Sequence, residues 1–185
     1  MKRVATYEDV LNAPDNVVVE IIGGDLYMSP RPSPRHALAK TVLGAELLLP
    51  FHHGQGGPGG WWILFEPELH LGDDVLVPDV AGWRRTRLPV FPDVSYFTLP
   101  PDWVCEVLSP ATERIDRLRK LAVYAREAVR HAWLVNPTLR SLEGYRLEAG
   151  KWVLVQTHGD DEVVRAEPFD AIEIDLLRLW GESRG

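Results

Sequence analysis

Two short apolar runs of this chain each carry one carboxylate: Val77-Pro78-Asp79-Val80-Ala81-Gly82-Trp83 and Trp103-Val104-Cys105-Glu106-Val107-Leu108. Side chains alternate along a strand, so Asp79 shares a face with Val77, Ala81 and Trp83, and Glu106 with Val104 and Leu108. Glutamate is depleted from strand interiors, and a carboxylate desolvated among apolar neighbours costs free energy unless something pairs with it. Two such acids on neighbouring central strands would repel. A divalent cation resolves the conflict, because hard cations such as Mg²⁺ take carboxylate oxygens. The competing account puts Asp79 at a strand end, bonded to a backbone amide, and Glu106 at an exposed edge. The strand pattern leaves both open.

The helix expected after Ser109-Pro110-Ala111-Thr112 runs to about Ala128 and carries an apolar stripe of Leu121, Tyr124, Ala125, Ala128 and Val129. Asp116, Lys120 and Tyr124 follow at i, i+4 and i+8 along one edge of that stripe. Lys120 thus falls at the border of the buried face, where its amine could reach the sheet. From periodicity alone, a solvated ion pair with Asp116 is the simpler account. The chain has only four lysines (Lys2, Lys40, Lys120 and Lys151) against sixteen arginines, so each lysine merits attention.

The rest of the chain supplies the frame. Residues 17–29 read as a hairpin around Gly23-Gly24-Asp25, followed by an extended linker with Pro30, Pro32 and Pro34. A helix is expected from His36 to Leu49, stopped by Pro50, and the glycine-rich stretch 52–60 reads as a mobile surface loop. The run Trp61–Leu71 reads as one long strand, with Gly72-Asp73-Asp74 turning into the strand of Asp79. HAWLVNP (residues 131–137) forms a further strand, residues 141–156 a second hairpin, and the last segment a short helix or capped strand. Helix, strands, helix, strand indicates an α/β (α+β) architecture in a single domain over residues 1–185.

Composition narrows the class. No apolar run approaches the ~18 residues of a membrane span, and Glu8 and Asp9 stand where a secretory signal would be apolar. A cytoplasmic protein with no membrane partner is expected. The lone Cys105 excludes an internal disulfide and a cysteine-based zinc site, and it points away from Glu106 into packing. His52 and His53 have no spaced third ligand. The net charge of −7 weakens, without excluding, a nucleic-acid partner.

VPDVAGWRR and PDWVCEVLSPATERIDRLRKLAVYAREAVRHAWLVNP, together with VVEIIGGDLYMSPRPSPRHALA, resemble the Uma-type family of putative restriction endonucleases, within the PD-(D/E)xK nuclease superfamily. The resemblance covers about residues 7 to 155. It implies a restriction-endonuclease-like core: a central mixed β-sheet flanked by helices, with N-terminal and C-terminal β-hairpins. By matching position, Asp79 is the PD aspartate and Glu106 the acidic residue of the (D/E)xK strand. Leu108 stands where that motif has its lysine, and the resemblance transfers the lysine role to Lys120. Glu20 matches the acidic residue of the first hairpin. The family usually reads Asp-Gly at that hairpin's turn, where this chain has Gly23-Gly24.

The function implied is metal-dependent hydrolysis of phosphodiester bonds in nucleic acid, with DNA as the expected substrate and an endonucleolytic cut. Mg²⁺ is the expected cofactor, with Mn²⁺ as substitute, held by Asp79, Glu106 and the Val107 backbone carbonyl. Asp79, Glu106, Lys120 and Glu20 form the catalytic set, bordered by His36, Asp116 and Tyr124. Arg84, Arg85 and Arg117 are candidate phosphate contacts, although charge runs on surface turns are commonly just solvated. With no recognition appendage in 185 residues, cutting both strands calls for two active sites, hence a homodimer. The rival reading is a nuclease-fold protein that no longer cuts and serves in binding or assembly.

Overall fold

After a short helix α1 (Tyr7–Leu11), strands β1 (Val18–Ile22) and β2 (Asp25–Ser29) form the N-terminal hairpin. Its two-residue turn is Gly23-Gly24, with φ of 61° and 79°. Both turn positions need a left-handed backbone, which a Gly-Gly pair satisfies as well as Asp-Gly does. The computed structural model describes residues 3–184.

Helix α2 (Pro34–Leu47) starts two residues earlier than expected, with Ser33 as its cap and Pro34 in its first turn. Pro50 does not stop it. The chain goes on through a π-helical turn (Leu48–His52), closed by a bond from the His53 N–H to the Leu48 carbonyl. A proline cannot make the regular i→i−4 bond, and the wider turn spares that bond. The glycine-rich segment that follows is tied down. Gln55 N–H donates to the Leu49 carbonyl, Gly59 N–H to Pro50, and Ile63 N–H to His52 Nδ1.

The long strand expected over 61–71 is two strands in two different sheets, β3 (Trp61–Phe65) and β4 (Leu69–Leu71). Pro67 interrupts the run, and Glu66 before it takes a left-handed φ of 47°. The chain then returns through β5 (Asp74–Leu76), crosses Val77-Pro78-Asp79, and enters β6 (Val80–Arg84). Strand β7 (Trp103–Val107) leads to a continuous helical stretch of three pieces: α3 (Glu113–Ile115), a π-helical turn (Asp116–Lys120) and α4 (Leu121–Arg126). Strands β8 (His131–Asn136), β9 (Ser141–Glu148) and β10 (Lys151–Gly159) follow. The small pair β11 (Val163–Val164) and β12 (Ile174–Asp175) and the terminal helix α5 (Leu176–Leu179) complete the chain.

The strands make a six-stranded sheet ordered β10-β9-β8-β7-β6-β3 and a four-stranded antiparallel sheet ordered β2-β1-β5-β4. Only β7 and β8 pair in parallel within the larger sheet, which the intervening helix makes possible. Alternation along β7 divides the core as expected. Trp103, Cys105 and Val107 pack with Ala39, Leu43 and Leu47 of α2. Val104 and Leu108 pack with Leu121, Val123 and Tyr124 of α4 and with Leu71 and Leu76 of the smaller sheet.

The α2 side is closed by the C-terminal segment. Phe169 is fully buried among Phe51, Trp61, Trp103 and Trp133, with ring centroids 4.7 to 5.6 Å away. The Trp133 indole N–H donates to the Glu167 carbonyl at 2.7 Å. Truncating such a ring removes its transfer energy and leaves a cavity, so Phe169→Ala should cost roughly 3–5 kcal/mol in urea unfolding. A loss below about 1 kcal/mol would show that the core closes without this segment.

Candidate active site

Asp79 is the last residue before β6, so of the two placements left open it takes the strand end and not mid-strand. Its Oδ2 accepts the Val107 N–H at 2.8 Å. The β6–β7 register, with Val80 opposite Cys105, continues to set Asp79 across from Glu106. The N–H and C=O of one strand residue point to the same neighbour, so the Val107 carbonyl is directed to the Asp79 side. His36, on the first turn of α2, approaches Asp79 Oδ2 with Nε2 at 3.2 Å.

Burial, the first influence on the Asp79 carboxyl, would raise its pKa. The hydrogen bond and charge of His36, the Lys120 ammonium and the Val107 N–H outweigh it and hold the pKa below the ordinary value.

Glu106 is interior, not at an exposed edge. It is 2% exposed, Glu20 5%, Asp116 4% and Lys120 3%, so one ammonium and three carboxylates share a nearly dry space. Lys120 Nζ lies 2.9 Å from Glu106 Oε1, 3.0 Å from Glu20 Oε1 and 3.7 Å from Asp116 Oδ1. It also donates to the Val77 carbonyl at 3.3 Å. The ion pair with Asp116 therefore exists, but it is buried and is the longest of the three carboxylate contacts.

The π-helical turn explains the inward placement. Its bond from the Leu121 N–H to the Asp116 carbonyl spans five residues, so the turn is wider than a regular one. Asp116, Lys120 and Tyr124 thereby share the buried face, where a regular 3.6-residue period puts Lys120 at its border. Tyr124 donates its hydroxyl to Glu106 Oε1 at 2.6 Å. Glu20, facing inward from β1, also accepts the Val77 N–H at 2.8 Å and so holds the start of the segment that crosses to the larger sheet.

These groups line a cleft of about 310 Å³ whose walls include Glu20, Ser33, His36, Asp79, Glu106 and Lys120. Burial, with Lys120 opposing and the other carboxylates reinforcing, drives the Glu106 pKa well up. Lys120 keeps its proton well beyond the ordinary range: burial works against it, but Glu106 and Glu20 prevail. The cluster is short of positive charge, which is the condition a bound cation relieves.

Three candidate phosphate contacts lie elsewhere. Arg84 stacks on Trp61 and Arg85 on Trp62, at the end of β6 opposite Asp79. Arg85 also donates to the backbone carbonyls of Trp61 and His52. Arg117 makes a bidentate pair with Glu143 and a third bond to Glu113. None of the three lines the cleft.

Two residues of the site were not among the expected ones. Lys40, on α2, pairs with Glu66 and stands 3.8 Å from Asp79 Oδ1. The scarcity of lysine was the only sequence signal for it. Glu66 carried none, because its role depends on the break between β3 and β4.

The Asp116 carboxyl is raised from 3.8 to about 6, chiefly by burial, with Lys120 opposing. A raised carboxyl favours the protonated folded state, so this stabilising contribution is complete below the unfolded value and is lost as pH rises through the folded one. Asp116→Asn should therefore gain stability relative to wild type, by on the order of 3 kcal/mol, between about pH 4 and about pH 7. Urea unfolding in a chelator reads this difference. A gap that does not change with pH would refute the assignment.

A family model, Uma2, described as Putative restriction endonuclease, matches residues 4–177. The fold is similar to the crystal structure of a putative nuclease belonging to DUF820 from Anabaena variabilis ATCC 29413. The TM-score is 0.72 at 19% identity, over 96% of this chain and 98% of that one. No curated protein matches the chain. At that identity the structural likeness establishes a common fold, while the family match extends over nearly the whole sequence. By that match, the chain belongs to the Uma2 family.

Proposed function

We propose that this chain is a metal-dependent nuclease that hydrolyses phosphodiester bonds in DNA. One observation carries the reading: Asp79 and Glu106 enter one cleft from neighbouring strands, with the Lys120 ammonium held against Glu106 and Glu20. Among the described residues, no three His, Cys, Asp or Glu side chains form a ready metal cage. Magnesium does not require one, since it is commonly held by one or two carboxylates and keeps several waters. The donors fit it: the Asp79 and Glu106 carboxylates and the Val107 carbonyl are hard oxygens in an electron-rich pocket. Bound there, Mg²⁺ would lower the pKa of a water and screen the phosphate charge.

The chain's own groups do the rest. Lys120 positions the attacking water and stabilises charge developing on the phosphoryl oxygens. Glu20 orients Lys120 from the opposite side, Tyr124 fixes the Glu106 rotamer, and His36 with the Val107 N–H fixes that of Asp79. Asp116 borders the site and tunes its charge.

Plasmid DNA should be nicked with Mg²⁺ or Mn²⁺ and left intact in a chelator. DNA binding with no cleavage under either cation would favour the binding-module reading instead.

The variants should separate the roles. Asp79→Ala and Glu106→Ala should abolish both Mn²⁺ binding and nicking, because each removes a charged oxygen ligand. Lys120→Ala removes a cation beside the metal position, so calorimetry should show Mn²⁺ binding retained or tightened. Nicking should still fall by roughly 10²–10³. Unchanged nicking by Lys120→Ala would leave the lysine only a structural part.

Cutting both strands with one site per chain requires two chains, so light scattering at micromolar concentration should report a dimer. A monomer there would remove that part of the proposal.

A further inference from the structure

Helix α2 brings a second lysine to the site. His36, Lys40 and Gly44 follow at i, i+4 and i+8, so they share one edge of the helix. That edge runs past Asp79 and the end of β3. At Gly44 the helix lies so close that an added Cβ would meet the Phe65 ring at 1.9 Å. One turn earlier, this approach puts Lys40 between two carboxylates: its ammonium pairs with Glu66 and lies 3.8 Å from Asp79 Oδ1.

Glu66 is held there at a cost. Its φ of 47° is a left-handed conformation that side chains rarely adopt, and its N–H is anchored to the Asp79 carbonyl at 3.1 Å. Such conformations cost on the order of 1–3 kcal/mol and persist where the surroundings over-determine them. Both Glu66 and Asp79 line the cleft.

Phosphodiester-cleaving sites with two metals place the ions about 3.5–4 Å apart, clamping the attacking and leaving oxygens. In this chain Asp79 Oδ2 lies on the β7 side, accepting from the Val107 N–H and 3.2 Å from His36 Nε2, while Oδ1 faces Lys40. A second cation on that side would have to draw on Asp79 Oδ1 and Glu66, and the Lys40 ammonium already stands between them.

We infer that Lys40, locked by Glu66, takes the place of a second metal ion, so that the site binds a single divalent cation and Lys40 supplies a second positive charge beside Asp79 Oδ1. The inference rests on the metal-dependent reading above. A compact ammonium suits the task because it is a point charge with three donors, whereas a guanidinium is a planar fork. Asp79 is then shared between a metal on one side and a fixed ammonium on the other.

Counting Mn²⁺ tests this without an activity assay, by calorimetry on the full chain and by electron paramagnetic resonance. Wild type should bind one Mn²⁺ per chain. Lys40→Met, which keeps the stem and removes the charge, should bind two, because Asp79 Oδ1 and Glu66 are freed. Adding Glu66→Gln to Lys40→Met should return the count to one. Two ions on the wild-type protein would overturn the inference while leaving the metal-dependent reading intact. So would a single ion of unchanged affinity in a folded Lys40→Met. No Mn²⁺ binding to wild type would remove the metal-dependent reading itself, and this inference with it. Because the wild-type count discriminates on its own, the proposal stays testable if Lys40→Met does not fold.

Discussion

One buried ammonium organises this molecule. Lys120 is 3% exposed and touches Glu106, Glu20 and Asp116, which reach it from the larger sheet, the smaller sheet and its own helical turn. Transferring a charge from water to such a space costs several kcal/mol, and only good geometry with further hydrogen bonds repays it. Here the repayment comes from elements far apart in sequence. The cluster therefore exists only when both sheets and the helical stretch are in register with one another.

The surrounding structure follows from that requirement. The chain must cross from the smaller sheet to the larger one beside Lys120, and it does so at Val77-Pro78-Asp79. The Val77 N–H is bound by Glu20 and its carbonyl by Lys120. The same crossing delivers Asp79 to the mouth of the cleft, where the backbone of β7 fixes its carboxylate. Neutralisation is incomplete: the Glu106 and Asp116 carboxyls hold their protons more tightly than usual, in both cases chiefly because they are buried. A protein selected for stability alone would gain by replacing such a cluster with apolar side chains. Keeping the acids is a cost of the kind that functional sites carry.

Two conformational irregularities lie at the same place. The π-helical turn carries Asp116 and Lys120, and the left-handed Glu66 sits where β3 ends. Each breaks a local rule, and each aims a charged side chain that a regular helix or strand would aim elsewhere. The arginines flanking these segments do the opposite work. Arg85 and Arg117 are spent on backbone carbonyls and on Glu143, holding the scaffold.

The sequence by itself determined the two main helices and the two hairpins, the sheet-facing alternation of β7, the hairpin turn at Gly23-Gly24 and the acids Asp79 and Glu106 as candidates. These rest on periods of two and 3.6 residues, on turn chemistry and on the cost of burying a carboxylate, all of which are local. It could not place Lys120 inside, because the helical period that assigned it to the border of the buried face fails at a π-helical turn. It ran β3 and β4 together, because an apolar run does not reveal that Glu66-Pro67 sends its two halves to different sheets. Lys40 and Glu66 were invisible as a pair for the same reason: 26 residues of chain separate them, and only the packing of α2 against the end of β3 brings them together. Tertiary structure decided which charges meet, because the cost of burying an ion is settled by partners that local sequence does not contain.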